Sequence, residues 1–299
     1  NSIIKHPLFS GSVILVVGSL GINAINLIYH FLMGNLLGPV NYGTLLGLYS
    51  ILYILSVVPI SSSVSIVKFI SKAKDKGERL SIFNHIKKLV FYIAIVGSIL
   101  VVLLSPIIAK FLNINDILST VFTAGVLFFS LITLVNQASL QGILQFKGVV
   151  APNFVASFLK LLLGILLVFL GFSVQGAMFA VVLGAASAYF ISQKMVVKFF
   201  TGNSNSQFSL PAFLTYSGPV LVQAFAFTSL FTTDVILVKH FFPPLQAGWY
   251  AALSTLGKIV FFGASPVSAA MFPYVSGKYA RGEKYIWELL SALLLTIFI

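Results

Sequence analysis

Charged residues are scarce in this sequence. They make up 8% of its 299 residues, whereas a soluble domain carries about 25%. Hydrophobic residues make up 59%, and they form long continuous runs instead of alternating with polar residues. Continuous apolar runs predict membrane-spanning helices, because the strands of a membrane barrel need an alternation of period two. The composition therefore excludes a soluble globular protein and indicates an all-α integral membrane protein.

Cysteine is absent, and only six acidic residues are present. The absence of cysteine excludes disulfide bonds and thiolate chemistry. The few acids leave no pair of loop carboxylates that could act in catalysis or bind a metal. The sequence also lacks the glycine-rich phosphate loop followed by Lys-Ser or Lys-Thr that P-loop ATPases carry. We therefore expect no enzyme, no metal and no cofactor other than a coupling ion, H⁺ or Na⁺.

Basic residues outnumber acidic residues by 18 to 6, which gives a net charge of +12. In a soluble protein this excess would suggest nucleic acid as a partner, but here most Lys and Arg lie between the apolar runs. Loops rich in Lys and Arg stay on the cytoplasmic side of a membrane. If the spans alternate from a cytoplasmic start, Lys110 and Lys239 fall on the outer side, while the clustered basic residues stay inside. The charges thus predict a multi-pass protein of the cell (plasma) membrane with a cytoplasmic N-terminus and no nucleic-acid partner.

Apolar runs of about 20 residues, the length that crosses a bilayer as a helix, recur along the whole chain. A polar stretch at 201–207 interrupts them and has the composition of a linker. After Glu288 only about eleven residues follow, or about 16 Å of helix, which is too short for a crossing. We therefore expect a fragment of a longer protein with 12 or more spans. The predicted spans lie near residues 9–36, 42–68, 88–109, 117–141, 152–171, 174–197, 212–239 and 246–275.

Gly38-Pro39 marks a turn between the first two spans, since proline fixes φ and glycine tolerates a positive φ. A similar break recurs about 205 residues later, where Gly248 aligns with Gly43. A repeat of this length predicts a duplicated multi-helix unit, as in many transporters. The predicted organisation is a six-helix N-terminal lobe over 1–200, an inter-lobe cytoplasmic linker over 201–211 and the first part of a C-terminal lobe over 212–299.

Four charged residues lie inside or at the edge of predicted spans: Lys68, Lys160, Asp234 and Lys258. A charge at mid-membrane costs about 2.5 kcal/mol or more, so it needs a partner or a wet cavity. We predict that Lys160 and Lys258 line a substrate cavity, and that Lys68 snorkels at the inner boundary. For Asp234 two interpretations stay open: a structural pair with a lysine on a neighbouring helix, or an ion site, a proton site or a gate.

Uncharged polar residues occur inside the predicted spans as well. Asn23 and Asn26 share one face of span 1 because they are three residues apart, while Asn136 and Gln137 lie in span 4. One interpretation is hydrogen bonding between helices, which contributes about 0.6 kcal/mol per contact. The other is a polar cleft, because transporter sites lie at repeat interfaces. These four residues are therefore further candidates for the substrate cavity.

The segment Gly38-Pro39-Val40-Asn41-Tyr42-Gly43 resembles the Gly-Pro-x-x-Tyr-Gly signature of the polysaccharide-export oligosaccharide flippases. Asp234 followed by Gly248-Trp249-Tyr250 resembles the Asp and Gly-x-Tyr signature of spans 7 and 8 in that family. The segment after span 4, Leu140-Gln141-Gly142, is also similar. These flippases belong to the multidrug/oligosaccharidyl-lipid/polysaccharide (MOP) exporter superfamily, and the resemblance covers essentially the whole chain.

This resemblance implies a MATE-like fold in which two six-helix lobes face each other across a central cavity. It implies alternating-access transport of an undecaprenyl- or dolichol-diphosphate-linked oligosaccharide from the inner to the outer leaflet. The implied partners are the lipid-linked oligosaccharide, membrane lipids, and the polymerase or assembly proteins of glycan synthesis. Relatives that move the peptidoglycan precursor carry Arg near span 1, whereas this chain has Asn23 and Asn26, which argues against that substrate.

The sign of the charge inside the predicted spans favours a flippase among several functions. Lysines outnumber acids there, and a diphosphate head group in a low-dielectric cavity needs cations. A multidrug or cation antiporter of the same fold would be expected to carry acids, and Asp234 is alone. A non-transporting scaffold for glycan assembly would have no polar cleft. An integral-membrane glycosyltransferase is disfavoured because the loops are poor in acids.

Overall fold

A computed structural model describes residues 7–73, 75–202 and 209–258, together with Ile286, Trp287 and Leu290. Within these ranges the chain is helical and contains no strand. The helices are α1 (Pro7–Leu55), α2 (Val57–Lys72), α3 (Lys76–Phe111), α4 (Ile117–Gly142), α5 (Lys147–Leu167), a π-helical turn (Val168–Phe172), α6 (Ser173–Val196), α7 (Leu210–Phe241) and α8, described over 244–258.

Five segments of the described chain are long and apolar enough to cross a membrane. The two longest, Ile14–Lys72 and Lys147–Val196, hold 59 and 50 residues. Because one crossing needs about 20 residues, each of these two segments has to fold back on itself. The chain is therefore a helical, multi-pass membrane protein. The other three segments are Lys76–Phe111, Ile117–Gly142 and Leu210–Phe241.

The first reversal lies at Gly38, inside α1. Gly38 has φ 69° and ψ 170°, a conformation that glycine adopts without strain. It divides α1 into a first arm, 7–37, and a second arm, 39–55. The rings of His30 and Tyr49 lie 5.3 Å apart, whereas nineteen residues of straight helix would separate them by about 28 Å. The break predicted at Gly38-Pro39 is thus confirmed as a hairpin between two antiparallel helices.

The second reversal lies in the π-helical turn between α5 and α6. Gly171 has φ 93°, and Ser173 has φ 46°. Beyond this turn, α6 runs back along α5 so closely that a Cβ on Gly184 would lie 2.8 Å from the carbonyl oxygen of Ala156. The break predicted at 171–173 is therefore confirmed as well.

The predicted span 2 is not one continuous helix. The structure ends α1 at Leu55 and begins α2 at Val57. Pro59 explains this bend, because a proline ring in a helix collides with the carbonyl of the residue four positions earlier and offers no N–H. That carbonyl belongs to Leu55. The chain therefore bends at Ser56, and α2 forms the remainder of the predicted span near 42–68.

The basic stretch that follows α2 was predicted as a loop, but most of it is helix. α3 begins at Lys76, well before the predicted start of span 3. The Asp75 carboxylate caps this end, accepting a hydrogen bond from the backbone N–H of Glu78 at 2.7 Å. Phe83 and Ile86, three residues apart, are buried against the neighbouring helices. A capped, amphipathic first part of α3 thus replaces the expected loop.

Two clusters of buried apolar side chains hold the helices together. The first joins α2, α3, α4 and α6 to the beginning of α7, around Ile66 and Val135. The second joins both arms of α1 to α6 and α7, around Met33 and Met178. As a result α7 packs against both α1 and α2.

The last predicted spans are described only in part. Span 8 is described over 244–258, and the segment after Tyr285 lies outside the described residues apart from Ile286, Trp287 and Leu290. Residues 203–208 of the predicted linker also lie outside them, and α7 begins at Leu210. The division into two lobes joined by a linker stays a prediction.

The two segments aligned by the repeat touch each other in the structure. A Cβ on Gly43 would lie 2.8 Å from the Cα of Gly248, and a Cβ on Gly248 would overlap the carbonyl oxygen of Pro39. Nearby, the Lys239 ammonium donates to Thr44 Oγ1 at 3.2 Å. Contact between equivalent positions is what two units related by a two-fold axis make. We refer to this side of the molecule as the Gly38 end.

Replacing Gly248 by Ala should therefore destabilise the protein by about 1–3 kcal/mol, because the added methyl group has no space. Gly257→Ala is the matched control on the same helix, since a Cβ there meets open space and alanine favours a helix over glycine by about 1 kcal/mol. The measurement is thermal unfolding in detergent. Equal melting temperatures for the two variants would contradict the close contact at Gly248.

Candidate functional site

A cavity of about 350 Å³ lies where α1 and α5 face α7 and α8. We name it the cleft cavity. Its polar lining includes four of the residues predicted for a substrate site, namely Asn23, Asn26, Lys160 and Lys258. The structure thus brings together side chains that are up to about 235 positions apart in the sequence. The rest of the lining is mainly aromatic and aliphatic, with Tyr49, Tyr53, His30, Leu20, Leu27 and Val235 among its members.

Lys160 is a half-buried cation in the lining of this cavity. Its ammonium donates to Asn26 Oδ1 at 2.6 Å. It also lies 4.4 Å from the centre of the Tyr29 ring and 5.8 Å from that of Tyr49. Ring faces attract a cation through their negative quadrupole. Since no carboxylate among the described residues lines the cavity, an amide oxygen and two aromatic rings hold this charge in place of an acid.

Glycines determine where the Lys160 side chain lies. A Cβ on Gly164, one turn further along α5, would lie 2.9 Å from the Tyr29 ring. The missing side chain leaves room for that ring to approach α5 beneath the ammonium. On the other side, a Cβ on Gly184 would lie 3.4 Å from Lys160 Cβ, so α6 also approaches closely. The cation is therefore positioned by helix packing on both sides.

An aromatic cluster next to Lys160 was not predicted. The His30 ring makes edge-to-face contacts with Tyr29 and Tyr49, at centroid distances of 5.4 and 5.3 Å. Tyr42 Oη lies 3.4 Å from His30 Nδ1 and 3.5 Å from Thr255 Oγ1. Tyr42 and Tyr49 are seven residues apart, a helical spacing that places them on one face. That spacing is the sequence signal that could have identified the cluster.

Asp234 lies beside the cleft cavity without lining it. Its Oδ2 accepts hydrogen bonds from Tyr250 Oη at 3.0 Å and from Ser254 Oγ at 3.3 Å. Both donors are on α8, so the carboxylate ties α7 to α8. The buried Oδ1 has no hydrogen-bond partner among the described residues. Lys258 is within electrostatic range of this carboxylate.

Asn136 and Gln137 lie elsewhere and do not line the cleft cavity. Asn136 Nδ2 donates to Gln193 Oε1 at 3.1 Å, and that oxygen also accepts from the Lys87 ammonium at 3.0 Å. Gln137 and Asn153 exchange two amide hydrogen bonds of 3.0 and 3.3 Å. These hydrogen bonds join α4 to α6 and to α5. They correspond to the first of the two interpretations of the polar residues, hydrogen bonding between helices.

Lys68 also lies away from the cavity. Its ammonium sits 3.2 Å from the centre of the Tyr216 ring on α7. Close by, Ser217 Oγ donates to Ser65 Oγ at 2.7 Å. Lys68 therefore contributes to the contact between α2 and α7. No group of three or more His, Asp or Glu within the described ranges is placed to hold a metal ion.

Long apolar helices, two chain reversals and a polar cavity between packed helices define this chain as a helical, multi-pass membrane protein with an internal site. The sequence model of the polysaccharide biosynthesis protein family matches residues 8–277. The chain therefore belongs to the polysaccharide biosynthesis protein family. No curated protein matches the sequence significantly.

Solved structures of MATE transporters share the fold. MATE in complex with Br-NRF has a TM-score of 0.66 and 17% identity, covering 97% of this chain and 72% of that chain. The MATE multidrug transporter DinF-BH, in a ligand complex, has a TM-score of 0.64 and 17% identity, covering 98% and 69%. A MOP superfamily transporter from Pyrococcus furiosus, whose binding pocket of reverse polarity suggests a different function, has a TM-score of 0.61 and 15% identity, covering 96% and 68%. At these identities the likeness establishes the fold alone.

A double-mutant cycle between Tyr29 and Lys160 should give a coupling free energy of about 0.5–2 kcal/mol, because the ring stabilises the ammonium. The cycle combines Tyr29→Leu with Lys160→Gln, and unfolding is measured in detergent. Tyr29→Phe is the control, since it keeps the ring face and should keep the coupling. Additive effects of the two substitutions would show that the ring does not interact with the charge.

Proposed function

We propose that this protein moves a polyprenyl-diphosphate-linked oligosaccharide from the inner to the outer leaflet by alternating access. The observation that carries the proposal is the charge of the cleft cavity, whose described lining holds Lys160 and Lys258 and no carboxylate. A buried cation is stabilised strongly by an anion in a low-dielectric site. A diphosphate head group supplies that anion. Membership of a polysaccharide biosynthesis family agrees with such a substrate.

The uncharged part of the lining suits the sugar portion of this substrate. Ligand pockets are mostly apolar and aromatic, with a few polar groups that fix orientation. Here Tyr49, Tyr53 and His30 offer ring faces, while Asn23 and Asn26 offer amide groups. Sugars present hydroxyl groups to amides and C–H faces to aromatic rings. The lipid tail would remain outside the cavity, in the bilayer.

Alternating access would require the contacts at the Gly38 end to open and close. At this end Gly43 meets Gly248, Lys239 bonds Thr44, and Asn113 Nδ2 donates to the carbonyl oxygen of His240 at 3.0 Å. If the N-terminus is cytoplasmic, the Gly38 end faces outward and is closed in this conformation. In the proposed cycle the helices from α7 onward form the second lobe, which separates here to release the substrate.

A MATE-type multidrug or cation antiporter is the second candidate function. It is favoured by the shared fold of DinF-BH, a multidrug transporter, and by the unpartnered Oδ1 of Asp234 next to the cavity. The lysines in the cavity argue against a cationic cargo. We therefore assign Asp234 to a coupling role, with H⁺ or Na⁺ as the ion, and propose neither an enzymatic activity nor a purely structural scaffold. Glycan polymerase or assembly proteins remain proposed partners.

Substituting Lys160 and Lys258 together by Ala should reduce translocation of a lipid-linked oligosaccharide by at least about tenfold, because charge-assisted hydrogen bonds to the diphosphate are lost. The assay uses the full-length protein in proteoliposomes and counts glycan that becomes accessible on the other face. Lys194→Ala is the matched control, being another lysine of a helix, exposed and outside the cavity. Normal translocation by the double variant would refute the charge argument.

Asp234→Asn separates the two transport proposals. If Asp234 binds the coupling ion, the Asn variant should lose the dependence of glycan translocation on an imposed H⁺ or Na⁺ gradient. Expulsion of a cationic dye is measured with the same proteoliposomes. Dye expulsion that needs Asp234, in the absence of any glycan translocation, would make the antiporter the better assignment. Gradient-dependent translocation by the Asn variant would exclude the coupling role.

A further inference from the structure

A second cavity of about 420 Å³, more open than the cleft cavity, is lined by residues of α1, α4, α5 and α6. We name it the bundle cavity. Among the residues that the structure describes, its polar lining consists of hydroxyl groups, amides and the Lys160 ammonium, without a carboxylate. The residues that matter here are Ser130, Asn153, Ser157, Asn26 and Lys160.

Lys160 belongs to both cavities. Asn23 and Asn26 likewise line both the bundle cavity and the cleft cavity. An ammonium has three N–H donors, and Asn26 Oδ1 accepts one of them. The other donors are available to whichever cavity holds an acceptor. A ligand in the bundle cavity can therefore contact the Lys160 ammonium directly.

The bundle cavity is lined by hydrogen-bonding side chains around a positive charge whose partners are an amide oxygen and ring faces. A charge buried without an opposite charge is costly, and the described lining of neither cavity supplies an acid. A cation would be repelled by Lys160. A neutral solute would leave the charge unpaired. A small anion would pair with the ammonium and accept hydrogen bonds from the Ser157 hydroxyl and the Asn26 amide.

We propose that the bundle cavity binds a small inorganic anion such as chloride, with Lys160 as its principal ligand. Because the same ammonium faces the cleft cavity, the anion and a diphosphate in the cleft compete for it; this second part rests on the proposed function. Such competition is reciprocal, so each ligand weakens the other by the same factor.

The test measures chloride binding with no lipid substrate present. Full-length protein in detergent is titrated with sodium chloride against sodium gluconate at constant ionic strength, and its melting temperature is recorded. A ligand that binds the folded state raises the melting temperature in a saturable way. Chloride line broadening in ³⁵Cl NMR reports the same binding directly.

Lys160→Gln should weaken chloride binding by about tenfold or more, because a charge-assisted contact is lost. Lys258→Gln should change it by less than about threefold, since Lys258 lines the cleft cavity only. Ser157→Ala should weaken it by about three- to tenfold, the effect of one neutral hydrogen bond. Lys68→Gln, outside both cavities, is the control that should change nothing. Lys160→Arg keeps the charge and should keep binding, which covers the case in which the Gln variant fails to fold.

Three results would overturn the proposal: a wild-type protein that does not distinguish chloride from gluconate, unchanged chloride binding in Lys160→Gln, or equal losses in Lys160→Gln and Lys258→Gln. The last result would place the anion in the cleft cavity. Pyrophosphate is the separate probe for the cleft, and both lysine variants should weaken its binding. If pyrophosphate does not bind while chloride does, the proposed substrate fails and the anion site stands.

Discussion

The structure depends on how the helices hold one lysine ammonium, that of Lys160, by partners other than a carboxylate. Lys160 lies within α5, where it contacts the Asn26 amide oxygen and the Tyr29 ring. Burying a charge is costly unless something of opposite sign compensates it. Here the compensation comes from dipoles and ring faces, which are weaker partners than a carboxylate. Under the proposed function, an anion that enters the cleft cavity would supply the stronger partner.

Close approach of helices at glycines makes that placement possible. Helices in a membrane gain little from the hydrophobic effect, because lipid tails are as apolar as leucine, so tight packing at small residues stabilises their association. Gly164 and Gly184 bring Tyr29 and α6 against α5 on two sides of Lys160. At the Gly38 end, Gly43 and Gly248 meet backbone to backbone. The same device thus positions the charge in the cavity and closes the molecule at one end.

Breaks in the helices were predictable because they have local causes. Gly38-Pro39 and Gly171 stand where the chain reverses, and both glycines have the positive φ that their residue type permits. The bend before Pro59 could also have been read from the sequence, since proline disrupts the turn that precedes it. The helical start of α3 was missed, because a row of lysines resembles a loop until the Asp75 cap and the buried face are seen together.

Polar residues of the candidate site were identifiable by type, while their grouping was not. Asn26 and Lys160 are 134 residues apart and share a hydrogen bond. Asn136 was an equally good candidate from the sequence, but it donates a hydrogen bond to Gln193 between α4 and α6. Nothing in the spacing of these residues distinguishes the two outcomes. The tyrosines beside Lys160 were overlooked because aromatic residues are abundant in every span.

By itself the sequence determined the membrane setting, the helical class, the positions of the two reversals and the positive sign of the intramembrane charge. These follow from composition and from residue types that act on their own neighbourhood. Only the tertiary structure decided which faces of α1 and α5 line a cavity. It also decided that Lys160 lines both the cleft cavity and the bundle cavity. In a membrane both the lipid-facing and the packed side of a helix are apolar, so hydrophobic periodicity does not reveal the inner face. The face that points inward is decided where helices cross, because it depends on the fit between side chains that are far apart in the chain.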